Sequence, residues 1–395
     1  MSVFTSDGVG RRIAYYRSVV RPKMTQRQLA DAACVALGTI RKIERGERGV
    51  TDATLEAIAH ALGVDPTRLR ADRGPALRAV HDALPALSAV IAAYDVPEDG
   101  RTRPLHSLRA AVDEAVHWRL GAQYTRIVRT LPDLIAELAR AYHQPSAHER
   151  SELAALLVSA YRSADAAAYK SGARDLSARL VELMRWAAPE AGDPLLSASV
   201  AYVRTETFFA AHAHVPGLRA LEHALDSAPA PNELPEIAIR GALHMRAAVI
   251  AGRARDAAVA ADHLREARAF ADQVTEGVYY GTAFGPDSVR IHEVSVAVSL
   301  GDGHADRALT IANEWKPPLD LPAERRSGFY IELARAQLWC GLADGAFESL
   351  KAARRIAPQH TREHPWVRED AATLRRLKRA DSESLTNFAE WCAAT

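Results

Sequence analysis

The sequence has few cysteines and no long apolar run. Its three cysteines, Cys34, Cys340 and Cys392, are odd in number and far apart in 395 residues, which argues against a disulfide framework. No stretch is apolar over the roughly 20 residues that a membrane span needs. Residues 1–10 lack the basic start and apolar run of a secretion signal. We therefore expect a cytoplasmic protein, in which Cys34 is a small packed residue rather than a redox sensor.

Motifs of common enzyme classes are also missing. The chain has no P-loop, no GxGxxG and no HExxH, and its 15 histidines are scattered. His212 and His214 are two residues apart, so on a helix they would not share a face, which disfavours a metal pair. We therefore expect no catalytic residues, no metal and no cofactor, and hence a protein that is not an enzyme.

What is present is an ordinary globular composition with an uneven distribution of charge. Hydrophobic residues make up 48% of the chain and charged residues 25%, which is typical of a protein with two or three domains. The net charge is only +1, but residues 1–50 hold ten Lys or Arg against four Asp or Glu. This segment therefore carries +6 and the remainder −5. A surface that faces phosphates requires such a local basic excess.

Residues 24–46 have the pattern of two short amphipathic helices joined by a tight turn. Thr25 followed by Gln28 is a capping box, so the first helix should begin at Gln26. A turn at residues 33–35 leads into the second helix. That helix should direct Ile40 and Ile43 to the core and Gly38, Arg41, Lys42 and Arg45 to the other side, before Gly46 ends it.

The order T-Q-x-x-L-A, a small-residue turn and T-I-x-x-I-E-x-G resembles the phage-repressor-like (Xre) helix-turn-helix family. The resemblance implies a five-helix domain whose second motif helix lies in the major groove of operator DNA, while the first crosses the backbone. Arg45 and Arg48 would hold phosphate. The predicted DNA-binding residues are Gln26, Arg27, Leu37, Gly38, Thr39, Arg41, Lys42, Arg45 and Arg48.

The rest of this domain follows from its helical pattern. Residues 8–20 should form a scaffold helix that leaves Arg12 and Arg17 to solvent or phosphate. Thr51 should cap a further helix, and Asp65-Pro66 should open a short fifth helix. Five helices in about 65 residues complete the module that the resemblance implies.

Gly74-Pro75 breaks this pattern. We assign residues 1–72 to the DNA-binding domain and 73–104 to a connector helix and loop. Residues 105–395 show no strand alternation, and their helical segments recur between Gly or Pro breaks about every 40 residues, as in a helical solenoid. The clearest unit, Tyr330–Pro358, resembles one tetratricopeptide repeat. The predicted fold class is all-α, with a five-helix Xre-type domain followed by a tetratricopeptide-like α-solenoid for sensing and dimerisation.

The whole arrangement is similar to actinobacterial Xre regulators with tetratricopeptide-like C-terminal domains, which implies a transcription regulator. The segments that carry this likeness are Leu131–Leu134, Lys170–Leu176, Phe284–Pro286 with Val289 and His292, Ala357-Pro358 and His364-Pro365.

A helical solenoid offers a concave surface built from the first helix of each pair, and a ligand pocket could use its side chains. The alternative is that the aromatic residues pack between helices. Polar groups on an inward helix need partners, which favours Arg290 and His292. The candidate ligand-binding residues are Tyr169, Tyr202, His244, Arg290 and His292.

We therefore predict a DNA-binding transcription regulator whose repeat domain senses a small molecule or peptide and controls operator binding. A homodimer on an inverted repeat is expected, because one module makes few base contacts. Residues 75–94 and the solenoid should have apolar surface to spare for that dimer. The alternative is an interaction scaffold whose repeat domain docks a protein: an exposed apolar stripe would favour docking, and a closed polar pocket would favour sensing.

The basic run Arg375, Arg376, Lys378 and Arg379 is interpreted as a solvated helix face rather than a second nucleic-acid site.

Overall fold

The computed structural model describes residues 7–19, 23–64, 69, 75–144, 149–377, 383–392 and 394. The chain divides into two compact units, Met1–Gly74 and Pro75–Thr395. Some of the predicted features lie outside the described residues: the start of the fifth helix at Asp65-Pro66, the boundary at residues 72–74, and Lys378 and Arg379 of the basic run.

In the first unit the described helices are α1 (Asp7–Val19), α2 (Gln26–Ala32), α3 (Leu37–Glu44) and α4 (Asp52–Leu62). Helix α2 begins where the capping box predicts: Thr25 Oγ1 accepts from the Gln28 amide at 3.2 Å, and Gln28 Oε1 accepts from the Thr25 amide at 2.8 Å. Thr51 caps α4 through the Thr54 amide at 3.3 Å. Helix α3 has no side-chain cap because Ala36 offers no acceptor. Its stability therefore depends on packing.

The core of the first unit joins all four helices. Ile13, Leu29, Ile40, Ile43 and Ile58 are at most 1% exposed. Each buried aliphatic side chain contributes roughly 2 kcal/mol by removal from water. This core fixes the positions of α2 and α3, so the face of α3 opposite Ile40 and Ile43 is left to solvent.

The turn between α2 and α3 differs from the prediction at Cys34. Its side chain is exposed rather than packed, and its backbone has a φ of 52°. The turn is closed by the Val35 amide, which donates to the Ala30 carbonyl at 2.9 Å. That closure requires a left-handed residue after the helix, which turns the Cys34 side chain away from the core.

The second unit is an array of helices. The first half contains α5 (Pro75–Ala92), α6 (Leu105–Leu120), α7 (Tyr124–His143), α8 (Arg150–Lys170), α9 (Arg174–Glu190), α10 (Pro194–Ala210), α11 (His214–Ser227) and α12 (Leu234–Arg253). The second half contains α13 (Ala257–Ala271), α14 (Pro286–Leu300), α15 (Ala305–Glu314), α16 (Ala323–Trp339), α17 (Ala343–Ile356), α18 (Pro358–Glu363), α19 (Pro365–Leu377) and α20 (Glu383–Trp391), with a 3₁₀ turn at Asp302–His304. No helix in the described ranges is both long and apolar enough to cross a membrane.

Consecutive helices pair closely, most extensively in α8/α9, α12/α13 and α16/α17. The pair α16/α17 shows how the sequence produces this packing. Ala334, Ala346, Leu350 and Ala353 are fully buried between the two helices, because small residues let the backbones approach while leucine fills the seam. The predicted all-α class and its helical-repeat architecture are confirmed.

Residues 105–395 show no strand alternation in sequence, but the structure contains one short hairpin there. Gly277–Tyr279 (β1) pairs antiparallel with Thr282–Phe284 (β2) between α13 and α14. The two-residue turn has φ values of 48° at Tyr280 and 73° at Gly281, the conformation that closes tight hairpins. Strands of three residues are too short to produce a visible alternation in the sequence.

Helix α5 packs against α7 within the second unit. Val80 is 5%, Leu87 0% and Ile91 2% exposed. The apolar face of this helix is therefore used inside its own chain, and the expectation that it has apolar surface to spare is wrong. Hydrophobic spacing predicts that a helix buries one face but does not identify the partner.

Candidate functional site

The side of α3 that faces away from the core is cationic and open. Arg41 and Lys42 on α3, and Arg45 and Arg48 just after it, are exposed to solvent. At Gly38, also exposed, an added Cβ would meet nothing within 4 Å in the described part of the chain. Its positive charge and its exposure suit the binding of a polyanion.

The other predicted DNA-binding residues border that surface. Arg27 on α2 is exposed. Leu37 is half-buried and packs against the core of the first unit, so only part of its side chain is open to a partner. Arg48 Nη1 donates to Thr39 Oγ1 at 3.4 Å. Arg45 forms an exposed ion pair with Glu47 at 3.1 Å.

Glu44, at the end of α3, connects three helices. Its carboxylate accepts two bonds from Arg17, from Nε at 2.7 Å and from Nη2 at 3.0 Å, and one from Gln26 Nε2 at 2.6 Å. Arg17 also donates to the Met24 carbonyl at 3.0 Å. The hydrogen bonds to Glu44 raise the pKa of Arg17. This network holds α1, α2 and α3 together and fixes the amide of Gln26.

The sequence prediction for Arg12 and Arg17 is therefore wrong. Neither is left to solvent: Arg17 binds Glu44, and Arg12 Nε donates to the Leu69 carbonyl at 3.4 Å. Both lie on α1, far along the chain from their partners, so local spacing gave no sign of the contacts. One signal was present, because Glu44 is the single acidic residue of an otherwise basic helix.

In the second unit, polar side chains surround a cavity of about 100 Å³. Helices α6, α8, α10, α12 and α16 and strand β2 line it. Its charged lining consists of Arg119, Arg162, Lys170, Arg246 and Arg325, with Asp165, Glu206 and Glu324. A lining of this kind is unusual inside a helical array, because unpaired charges are costly to bury.

The β-hairpin contributes backbone acceptors to this site. Arg162 Nη1 donates to the Tyr280 carbonyl at 2.6 Å, and its Nη2 donates to Thr282 Oγ1 at 2.7 Å. Arg119 Nη2 donates to the Gly281 carbonyl at 2.9 Å. Gly281 cannot be replaced freely, because a Cβ there would lie 3.0 Å from a nitrogen of each arginine. The tip of the hairpin therefore covers one side of the cavity.

Two of the predicted ligand residues meet at Arg325. Its Nη2 donates to the Tyr202 hydroxyl at 2.8 Å, and its Nη1 lies 3.2 Å from His292 Nε2. Burial would raise the pKa of Tyr202, but Arg325 and Arg246 outweigh that effect and lower it. Burial holds the pKa of His292 well below its usual value, so this ring is neutral. Tyr202 lines the cavity itself.

The other predicted ligand residues do not line the cavity. The ring of Tyr169 is 6.0 Å from Nζ of Lys170, a residue that lines the cavity. His244 Nδ1 is 3.0 Å from His263 Nδ1, and burial lowers the pKa of His244 to about 4. Arg290 is exposed and lies over the Trp315 ring. His244 and Arg290 thus share no contact with Tyr202 and His292 among the described residues.

Two of the residues that line the cavity, Lys170 on α8 and Glu324 on α16, also belong to a second polar network. Lys170 Nζ binds Glu324 at 2.9 Å and lies 3.3 Å from His360 Nε2. Burial would raise the pKa of Glu324, but Lys170 outweighs it and holds that pKa far below its usual range. Burial lowers the pKa of His360 to about 3. No sequence pattern predicts the positions of Lys170, Glu324 and the cavity arginines, because charged residues on long helices are ordinarily solvent-exposed.

Glu332 on α16 makes the stability of the second unit depend on pH. Burial raises its pKa to about 7, although Ser295 donates to it and Arg253, Lys170 and Arg325 act in the opposite direction. A carboxyl whose pKa is higher in the folded state stabilises fully below its unfolded value near 4.5 and loses that contribution as pH rises through 7.

We therefore expect Glu332→Gln to remove a loss of about 3 kcal/mol of stability between pH 4.5 and 7. All six tryptophans lie in the second unit, so urea unfolding followed by tryptophan fluorescence measures it. Glu348→Gln, at an exposed carboxyl, is the control and should keep the wild-type pH profile. A Glu332→Gln profile that parallels the wild type would contradict the assignment.

Comparison with known proteins agrees with the geometry of the first unit. Residues 21–69 match the model of the helix-turn-helix family HTH_3. The chain therefore carries an N-terminal helix-turn-helix domain, the class of domain by which many transcription regulators bind DNA.

Among solved structures, the crystal structure of Bacillus thuringiensis PlcR in complex with the peptide PapR7 and DNA is similar to 68% of this chain and 95% of that chain. The identity is 12% and the TM-score 0.29. No curated protein matches the chain in sequence. The described residues contain no group of three or more His, Cys, Asp or Glu side chains placed to hold a metal ion.

Proposed function

We propose that this chain is a sequence-specific transcription regulator that binds operator DNA through α3. The observation that carries the proposal is the exposed cationic face of α3, displayed by a helix-turn-helix domain. Lys42 and Arg41 on that face would reach base edges or phosphates, and Arg45 and Arg48 would bind the phosphate backbone. A protein of this function works where the chromosome is, in the cytoplasm.

The second unit would act as the sensor that controls DNA binding. Its polar cavity supports sensing over docking, because a pocket with convergent polar groups suits a small ligand. A scaffold would instead need an exposed apolar stripe along its concave side. Tyr202 and His292, joined through Arg325, are the predicted ligand residues that fit this role.

The regulator would bind as a homodimer to an inverted repeat. A single α3 offers few base contacts, since Leu37 is partly committed to the core and Gly38 has no side chain. Two half-sites read together would supply the missing specificity. Because the apolar face of α5 is buried in its own unit, the dimer contact would come from the repeat helices.

Selection of duplexes from a random-sequence library by the intact chain tests this function. We expect enrichment of a sequence with two-fold symmetry, bound about 1,000-fold or more tightly than unrelated duplex. Sedimentation of the same preparation at micromolar concentration should give a dimer. Salt-sensitive binding without any enriched sequence would reject the operator function, and a monomer would reject the two-site arrangement.

A further inference from the structure

The cavity in the second unit carries more positive charge than its neighbours neutralise. Of its five cations, Lys170 is paired with Glu324 at 2.9 Å and Arg246 with Glu206 at 3.5 Å. Burial and the nearby Glu206 carboxylate raise the pKa of Asp165 well above its usual value and outweigh Ser177, whose Oγ donates to the Asp165 carboxyl at 2.6 Å. Asp165 is therefore neutral and cancels no charge.

The three remaining cations, Arg119, Arg162 and Arg325, therefore donate only to neutral acceptors. Arg119 and Arg162 donate to the hairpin carbonyls, and Arg162 also donates to Ser199 Oγ at 2.8 Å. Arg325 donates to the Tyr202 hydroxyl. None of the three forms an ion pair within the described ranges. Burial and the neighbouring Arg119 charge lower the pKa of Arg162 to about 9, because neutral acceptors do not fully replace water around a charge.

Two polar atoms in the cavity wall have no hydrogen-bond partner among the described residues. One is a donor, Nε of Arg119, a residue that is only 7% exposed. The other is an acceptor, Oε2 of Glu206; because the neutral Asp165 also contacts this carboxylate, a ligand donor would use its remaining lone pairs. Buried groups of this kind cost free energy unless something pairs with them. A ligand that satisfies both must present an acceptor to the arginines and a donor to the glutamate.

The size of the cavity sets the size of the ligand. A water molecule needs about 10–15 Å³ of cavity volume, so about 100 Å³ accommodates a group of several heavy atoms. A peptide segment of several residues would not fit beneath the hairpin, whose tip already occupies the arginine side of the site.

We propose that the cavity binds a small oxyanion that also carries a hydroxyl or amino donor. The oxyanion binds Arg119, Arg162 and Arg325, and the donor binds Glu206, with the hairpin tip closing over the ligand. The oxyanion is the carboxylate of a small hydroxy or amino acid or the phosphate of a small phosphoester. This inference rests on the proposed sensor function for its biological use, but the binding itself does not depend on DNA.

Thermal unfolding of the intact chain with small probes tests the site. Lactate carries both groups, propionate lacks the donor, and propane-1,2-diol lacks the anion. Glycerol 3-phosphate separates a phosphate source from a carboxylate source. At constant ionic strength with potassium chloride, we expect lactate or glycerol 3-phosphate to raise the unfolding temperature by several degrees. Propionate should act more weakly, and the diol should not act. No stabilisation beyond chloride by either donor-bearing anion would overturn the proposal.

Variants identify the side chains. Arg162→Met and Arg119→Gln should each weaken binding of the active probe about tenfold or more, because each removes a charge-assisted contact. Arg119→Gln keeps a donor and tests the site if Arg162→Met fails to fold. Arg219→Met, on the exposed surface of α11, removes the same charge and should bind like the wild type. Equal binding by Arg119→Gln and the wild type would place the ligand elsewhere.

Operator affinity measured with and without the active probe separates this inference from the proposed function. Probe binding with unchanged operator affinity would reject the sensor role and keep the site. Normal operator binding by a chain that binds neither anion would reject the site and keep the DNA-binding function.

Discussion

Replacing Glu44 with alanine should lower the free energy of unfolding of the helix-turn-helix domain by about 3 to 5 kcal/mol. The Glu44 side chain is 6% exposed and its partner Arg17 is 19% exposed. Removing the carboxylate would leave the Arg17 guanidinium with only the Met24 carbonyl as an acceptor and would release Gln26. The cost is large because a nearly buried charge loses its counter-ion, not because the pair itself is strongly stabilising.

Hydrogen exchange of the intact chain, followed by mass spectrometry of peptides from α1 to α4, measures this local stability. Glu47→Ala is the matched control, since it removes the same charge from an exposed pair with Arg45, whose side chains are 50% and 62% exposed. Exposed pairs contribute about 0.2 to 1 kcal/mol. Similar protection in the two variants would show that the Glu44 network does not hold the three helices together.

The features that the sequence predicts well are those set by residues a few positions apart. The start of α2 follows from Thr25 and Gln28, which are three residues apart and bond each other. The cap of α4 at Thr51 is equally local. The pairing of α16 with α17 follows from small residues at helical spacing and a short connection between the helices. In each case the residues that determine the feature lie within one helical turn or one helix pair.

The interior site could not be predicted in the same way. Arg119 and its acceptor Gly281 are 162 residues apart, and Arg162 and Tyr280 are 118 residues apart. Charge composition gives no sign of such contacts, because an arginine on a long helix is ordinarily expected to face solvent. The hairpin that accepts from both arginines has strands of three residues, below the length at which alternation becomes visible.

Helix geometry explains the different placement of Arg290 and His292. Two residues two positions apart on a helix point about 200° apart, so they lie on opposite faces. His292 is 3% exposed and contacts Arg325, whereas Arg290 is exposed. Of these two polar residues, only His292 faces inward and needs a partner there. A spacing of two residues on a helix therefore predicts that only one of the pair can line an inward surface.

Replacing Lys42 with alanine should weaken binding to the selected operator by about 1 to 3 kcal/mol, or roughly 5- to 150-fold in Kd. Lys42 lies on the exposed face of α3 and forms no ion pair with a described residue. Its ammonium is therefore available to DNA, and its loss should not disturb the core formed by Ile40 and Ile43. Fluorescence anisotropy with a labelled operator and an unrelated duplex, over a range of salt concentrations, measures both affinity and specificity.

The comparison between variants tells base contacts from phosphate contacts. If Lys42 binds a base edge, the operator should lose affinity while the unrelated duplex changes little. Arg48→Ala, beyond the end of α3, should instead weaken both duplexes and reduce the salt slope by about 1. Arg219→Ala carries the same change in net charge in the second unit and should bind both duplexes normally. Wild-type affinity and salt dependence in Lys42→Ala would mean that α3 does not enter the groove, since an exposed lysine on a helix within the groove contacts either a base or a phosphate.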